Sequence, residues 1–281
     1  MAAPVIAVAN QKGGVGKTTT AVNLCAALAE LGHRILLVDL DPQANATSGL
    51  GVEKSPGGSA YLPLLGEAPL PEKIQATRFK GLDLIPSEID MCGVEVELTR
   101  MEDYAFRLRE AMKPLREGSG HRLIFIDCPP SLGVLTVNAL TAADFLLAPV
   151  QCEYYALEGV SMLIELTEQI RSSAMNPRLK LLGILMTMFD ARTKLSRQVV
   201  EDVREHFGEL VFETVIPRTT RLAEAPSHGM PIMDYDPYSV ATAAYQVFAQ
   251  EVAARLGLQE PPSEPKPAAY RPVPAPRTGE G

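Results

Sequence analysis

The chain has 281 residues, 46% of them hydrophobic and 21% charged; that is enough for one sizeable α/β domain or two small ones, and it excludes global disorder. Lys and Arg total 26 against 34 Asp and Glu, a net charge of −8, so any nucleic-acid binding must come from a local basic patch. Tryptophan is absent and aromatics are only 6%, which leaves Leu, Val, Ile, Ala and Met to build the core.

The first ten residues lack a basic n-region and a long apolar run, so no signal peptide is expected. No apolar stretch reaches the roughly 18 residues a membrane-spanning helix needs. Short apolar runs predict buried strands at Val5–Ala9, Ile35–Val38, Leu82–Ile85, Leu123–Ile126, Phe145–Val150, Leu181–Met186 and Leu210–Ile216. They are rich in β-branched residues and Leu and do not alternate strictly, as parallel strands covered on both faces do not. Helical spacing predicts helices at Thr18–Leu31 (stopped by Gly32), Tyr104–Leu115, Gly159–Arg171, Ser196–Phe207 and Ser239–Leu256. Strands alternating with helices of this length predict an α/β fold with a doubly wound, mostly parallel sheet. Glu53 to Thr77, rich in Pro and Gly, is expected to be a connection with one short helix. From Glu260 to Gly281 seven of 22 residues are Pro, so the expected division is a folded domain over 1–258 and a disordered tail over 259–281.

Cys25, Cys92, Cys128 and Cys152 form no C-x-x-C pair and are expected to be reduced packing thiols. His33 follows the Gly32 cap and is expected at the surface. Met175 and Met186 are expected to pack, and Met188 to touch a bound base. Tyr154 and Tyr155 are expected to pack or to face a dimer contact.

The first strand runs into Gln11-Lys12-Gly13-Gly14-Val15-Gly16-Lys17-Thr18-Thr19, followed by a helix. Strand, glycine-rich turn and helix start together make an anion site, because glycines let backbone N–H groups wrap phosphates and the helix dipole adds favourable field. In such a loop Lys17 reaches the β- and γ-phosphates and the Thr18 hydroxyl ligates Mg²⁺. The usual pattern G-x-x-x-x-G-K-[ST] fails at its first position, where Gln11 stands, and a second lysine, Lys12, opens the loop. The second strand ends in Asp39-Leu40-Asp41-Pro42, which puts two carboxylates at the ligand-binding edge of a parallel sheet. The run Leu123–Ile126 ends in Asp127, a Walker B arrangement in which the carboxylate holds Mg²⁺ through water or the Thr18 hydroxyl.

This loop resembles the deviant Walker A loop of the ParA/MinD superfamily of P-loop ATPases. The segments 127–133, 151–159, 187–193 and 215–227 resemble the ParA/Soj chromosome-partitioning ATPases, and the likeness runs from Pro4 to Leu256. The resemblance implies ATP/ADP and Mg²⁺ as ligands. It implies that Lys12 reaches the nucleotide of a partner subunit, that Asp41 orients the attacking water, and that Asp39 supports the metal's water shell. Pro217 and Thr219 stand where relatives line the adenine, with Thr219 in place of Asn; Ala44 replaces a usual Gly. It further implies an ATP-dependent homodimer that coats DNA non-specifically in the cytoplasm, on the nucleoid. A ParB-type centromere-binding protein would stimulate its slow hydrolysis.

Between Arg171 and Arg221 nine basic residues face six acidic ones, a local balance of +3. Arg192, Arg218 and Arg221, then Lys194 and Arg197, are the candidate DNA contacts. Doubling such a patch by pairing multiplies the phosphate contacts that drive non-specific binding. A MinD-type membrane ATPase is the contrasting reading, but it needs a last helix with a basic polar face, and Ser239–Leu256 carries only Arg255. No membrane partner is therefore expected. An iron–sulfur carrier needs paired cysteines; Cys92 and Cys128 stand at a plausible separation in sequence, but their surroundings do not match that family. A cousin that positions another cargo is the remaining alternative.

Overall fold

The computed structural model describes residues 2–258. In chain order it contains β1 (Val5–Val8), α1 (Lys17–Glu30), β2 (Ile35–Asp39), α2 (Asn45–Gly49), α3 (Tyr61–Leu65), β3 (Gln75–Ala76), β4 (Leu82–Ile85), α4 (Met91–Leu98) and α5 (Arg107–Gly118). Then follow β5 (Leu123–Asp127), α6 (Val134–Ala142), β6 (Phe145–Gln151), α7 (Ala156–Ser172), β7 (Lys180–Phe189), α8 (Lys194–Phe207), β8 (Val211–Pro217), α9 (Thr220–Glu224), α10 (Ile232–Tyr235) and α11 (Val240–Arg255).

The strands form one sheet in the order β3-β4-β2-β5-β1-β6-β7-β8. All neighbours are parallel except β3, which pairs antiparallel with β4 at the edge. Every residue of β1, β2 and β5 is buried, as central strands covered on both faces require. One face is covered by α1 and α11, where Phe212 of β8 meets Phe248 edge-on with ring centroids 4.9 Å apart. The opposite face is covered by α4, α5 and α6 over the centre and by α7 and α8 toward β7. Each fully buried Leu or Ile in these layers contributes roughly 1.5–3 kcal/mol.

The strand order sets the position of the site. β1 lies between β5 and β6, so the connections diverge to either side of it. In open α/β sheets the crevice at such a switch point, beyond the carboxyl ends of the strands, is where ligands bind.

The seven strands read from the sequence are all present, with β7 running on to Phe189. The two-residue β3 lies in the stretch read as a connection, which also holds α3 and a 3₁₀ turn at Leu70–Lys73. Helices α2, α4, α6, α9 and α10 were not predicted. The four or five residues of α2, α9 and α10 give no periodicity, the eight of α4 alternate as Val94-Glu95-Val96-Glu97 at their centre, and α6 buries seven of its nine residues, so it shows no polar face. His33 is buried rather than at the surface, and burial together with the charge of Arg122 lowers its pKa. The proline-rich tail lies outside the described residues. No helix among the described residues is long and apolar enough to cross a membrane.

Candidate nucleotide-binding site

The loop between β1 and α1 is built to present backbone N–H groups. Gly14 and Gly16 sit at φ +74° and +86°. A Cβ at either would meet nothing within 4 Å, so it is the left-handed backbone, not space, that requires glycine there. Gly16 is the N-cap of α1 and offers no side-chain cap, which leaves the first-turn N–H groups free for a ligand. The loop is pinned from β6 and β7, on one side of β1. The Asn10 side-chain amide donates to the Pro149 carbonyl (2.7 Å), and its Oδ1 accepts from the Lys12 N–H (3.0 Å). The Thr187 hydroxyl donates to the Val15 carbonyl (2.8 Å).

The two lysines of the loop have different surroundings. Lys17 is buried and its Nζ donates to the Lys12 carbonyl (3.2 Å). Burial lowers its pKa, while Asp127, Cys128 and Asp41 act in the other direction. Lys12 is exposed and pairs with Glu153 of its own chain at 2.6 Å.

Asp39, Asp41 and Asp127 are all buried at the carboxyl ends of β2 and β5. Asp41 Oδ1 accepts from the Gln43 N–H (2.9 Å). Neither oxygen of Asp127 has a hydrogen-bond partner among the described residues. Burial, then the charge of Asp39, push its pKa well above the usual carboxylate value, against the Thr18 hydroxyl and Lys17. A buried carboxyl with both oxygens unengaged, beside Lys17 and Thr18, fits a cation. Mg²⁺ typically takes one or two carboxylates and completes its shell with waters and phosphates. No cluster of three or more potential metal-ligating side chains occurs among the described residues.

Asp39, expected in the metal's water shell, is engaged by the chain itself. Its Oδ1 accepts from the Asp41 N–H (3.1 Å), and its Oδ2 accepts from the Thr47 N–H (2.9 Å) and hydroxyl (2.7 Å). The Thr47 hydroxyl in turn accepts from the Ser87 N–H (2.9 Å). Burial raises the Asp39 pKa to about 6 against these bonds. Asp39 therefore clamps the 41–47 turn that carries Asp41. In that turn Ala44 adopts φ +53°.

A cavity of about 260 Å³ continues from Gly16 and Thr19 and is lined by Met188, Pro217, Thr219, Leu222 and Tyr245, among others. Met188, Pro217 and Thr219 thus come together in one cavity. Met188 holds the left-handed φ of +54° within β7. The Thr219 hydroxyl caps α9 by accepting from the Leu222 N–H (3.2 Å). A larger cavity, about 850 Å³, opens at the opposite edge of the sheet around His33, Arg34 and Phe79, away from the loop's chemistry.

Arg192, Lys194, Arg197, Arg218 and Arg221 are all exposed, on the β7–α8 and β8–α9 connections and the helices they enter. The Arg218 N–H donates to the Phe189 carbonyl (2.9 Å), which joins the two connections. Arg192 forms a two-pronged pair with Asp190 (2.9 and 2.8 Å), which holds the Asp190 pKa down to about 2. Arg221 pairs with Glu224 (3.2 Å) and Asp236 (3.4 Å).

Met186 is buried and Met175 packs half-buried, as expected. Tyr154 and Tyr155 do not pack into their own chain: both are exposed, their rings edge-to-face at 5.3 Å. Cys25, Cys128 and Cys152 are buried free thiols and Cys92 is an exposed one. Burial, then Asp127, raise the Cys128 pKa, so it stays a thiol at neutral pH. Asn10, Thr47, Thr187 and Glu153 were missed by sequence reasoning, because their roles are contacts between distant segments and no local motif marks them.

A family model described as an AAA domain matches residues 3–181. The chain is 53% identical over 251 residues to the chromosome-partitioning ATPase Soj of Thermus thermophilus, covering 89% of this chain and 96% of that one. It is 49% identical over 252 residues to the chromosome partitioning protein ParA of Caulobacter vibrioides, covering 89% and 94%. Among solved structures, that of cobyrinic acid a,c-diamide synthase from Mycobacterium smegmatis, with a bound ATP analogue and magnesium, matches at 39% identity and a TM-score of 0.77. It covers 93% of this chain and 100% of that one.

Proposed function

The chain belongs to the ParA/Soj family of chromosome-partitioning P-loop ATPases, and from that membership we propose that two copies enclose two ATP molecules and bind DNA as a pair. The observation that carries this reading is the division of labour between the two loop lysines. Lys17 is buried beneath the loop, and Lys12 stands at its exposed rim. A cation at the rim is placed to act on the nucleotide of a second copy.

In this reading the loop backbone of Gly13 to Gly16 and the first turn of α1, with Thr19, wrap the phosphates. Lys17 neutralises charge on the β- and γ-phosphate oxygens, and Lys12 of the second copy does so from across the interface. Asp41 accepts a hydrogen bond from the attacking water and orients it toward the γ-phosphorus. Asp39 keeps Asp41 in place through the clamped turn. Thr18 and Asp127 would hold Mg²⁺, which supplies further charge neutralisation on the phosphates. The base occupies the cavity between Met188, Pro217 and Thr219.

Pairing doubles the basic surface formed by Lys194, Arg197 and Arg218, with Arg192 and Arg221 beside them. Each added phosphate contact releases counterions, so the pair binds non-specific double-stranded DNA where a single chain binds weakly. The chain then resides on the nucleoid in the cytoplasm until a ParB-type partner stimulates hydrolysis. The test is DNA binding by an Asp41→Ala variant, which retains ATP. It is expected to bind DNA far better with ATP than with ADP; equal binding rejects the reading.

A further inference from the structure

We propose that Glu153 is a positioning residue for Lys12: it holds this lysine on its own chain and so sets the threshold that a nucleotide must exceed before two chains pair. The inference rests on the pairing reading above.

Lys12 Nζ donates to Glu153 Oε2 at 2.6 Å across 141 residues of sequence. The backbone at both ends is fixed. The Lys12 N–H is held by Asn10 and its carbonyl by Lys17. The Glu153 N–H donates to the Gln151 carbonyl (2.8 Å), and the Glu153 carbonyl accepts from the Ala156 N–H (2.9 Å). The two side chains can therefore separate by bond rotation alone, leaving both loops as they are.

The pair stands in a particular setting. Tyr154 and Tyr155, directly after Glu153, are 77% and 65% exposed, and Leu132 on the loop after β5 is 37% exposed. Exposed aromatics beside an exposed ion pair are the composition of a protein-facing surface. If a second copy covers this rim, Lys12 must choose between the carboxylate and the phosphates opposite. A carboxylate carries one negative charge. A triphosphate carries more and extends one phosphate further than a diphosphate, and Coulomb attraction falls with distance. Leaving Glu153 thus opposes pairing with either nucleotide, and the triphosphate offsets that cost better.

The pair is half exposed at both ends, so its effect is modest. Each exposed pair is worth roughly a 1.4- to 5-fold factor, and two are given up per dimer, so Glu153→Gln is expected to tighten pairing by about 2- to 30-fold. Damage to the fold would weaken pairing, so a gain separates positioning from a structural role.

The experiment is sedimentation velocity on the full chain over a protein concentration series, with a non-hydrolysable imido analogue of ATP and with ADP. The unsubstituted chain is compared with Glu153→Gln and Glu153→Asp. The expected result is a lower monomer–dimer midpoint for Glu153→Gln with the ATP analogue, an advantage that shrinks as salt screens the pair, and near-normal behaviour for Glu153→Asp. A Glu153→Gln midpoint that is unchanged or higher overturns the inference while the pairing reading stands. Failure of the unsubstituted chain to pair with the ATP analogue overturns both.

Discussion

Asp39 and Asp127 are register partners on β2 and β5, both fully buried; among the described residues the first is hydrogen-bonded through both oxygens and the second through neither. The two carboxyls therefore have different tasks, one toward the chain and one toward a ligand. Asp127→Asn is expected to raise the Mg²⁺ concentration that half-saturates nucleotide binding by on the order of 10- to 100-fold. Thr47→Val, which removes a clamp bond to Asp39, is expected to leave that concentration unchanged and to slow turnover. Fluorescent-nucleotide binding titrated against Mg²⁺, beside steady-state hydrolysis, separates the two.

The clamp also predicts a pH dependence for the nucleotide-free chain. The Asp39 pKa is raised in the folded chain to about 6. Between its unfolded value near 4 and that folded value the native state holds the extra proton, so stability falls as pH rises through this window. Urea midpoints at pH 4.5 and 6.5 should differ less for Asp39→Asn than for the unsubstituted chain. Asp190, held low by Arg192, acts only below pH 4 and leaves the comparison untouched.

Ala44 carries backbone strain at φ +53° inside the turn that bears Asp41. A left-handed residue with a Cβ costs roughly 1–2 kcal/mol, and the greater unfolded freedom of glycine offsets part of the relief. Ala44→Gly is therefore expected to stabilise the chain by up to about 1 kcal/mol in urea unfolding. Ala44→Val, with a branched side chain at the same φ, is expected to destabilise it.

The basic residues are not equivalent for DNA. Arg192 is already neutralised by Asp190, whereas Lys194 and Arg197 form no ion pair among the described residues. Lys194→Gln and Arg197→Gln are each expected to lower the salt slope of ATP-dependent DNA binding by about one unit for every phosphate that is no longer neutralised. Arg192→Gln should lower it less. Fluorescence anisotropy across a salt series measures all three.

Much of this was legible in the sequence. The loop from Gln11 to Thr19, the Asp at the end of each central strand and the buried strands themselves are local patterns, and local patterns survive without coordinates. Met188, Pro217 and Thr219, far from the loop in sequence and the last two named for the base from the resemblance, line one cavity. The rest was hidden for physical reasons. No spacing rule links Asp39 to Thr47 and Ser87, so its clamp on the turn shows only in the folded chain. The Lys12–Glu153 pair joins two segments that no spacing rule connects. Helix α6 was invisible because burial on nearly all sides removes the polar stripe that marks a helix.

The central claim is that Lys12 of one chain acts on the nucleotide of another. Multi-angle light scattering of the unsubstituted chain and of Lys12→Ala, each with ATP and with ADP, tests it most directly. The account predicts a dimer only for the unsubstituted chain with ATP, and monomers otherwise. Equal pairing of the two proteins, whichever nucleotide is present, would contradict it.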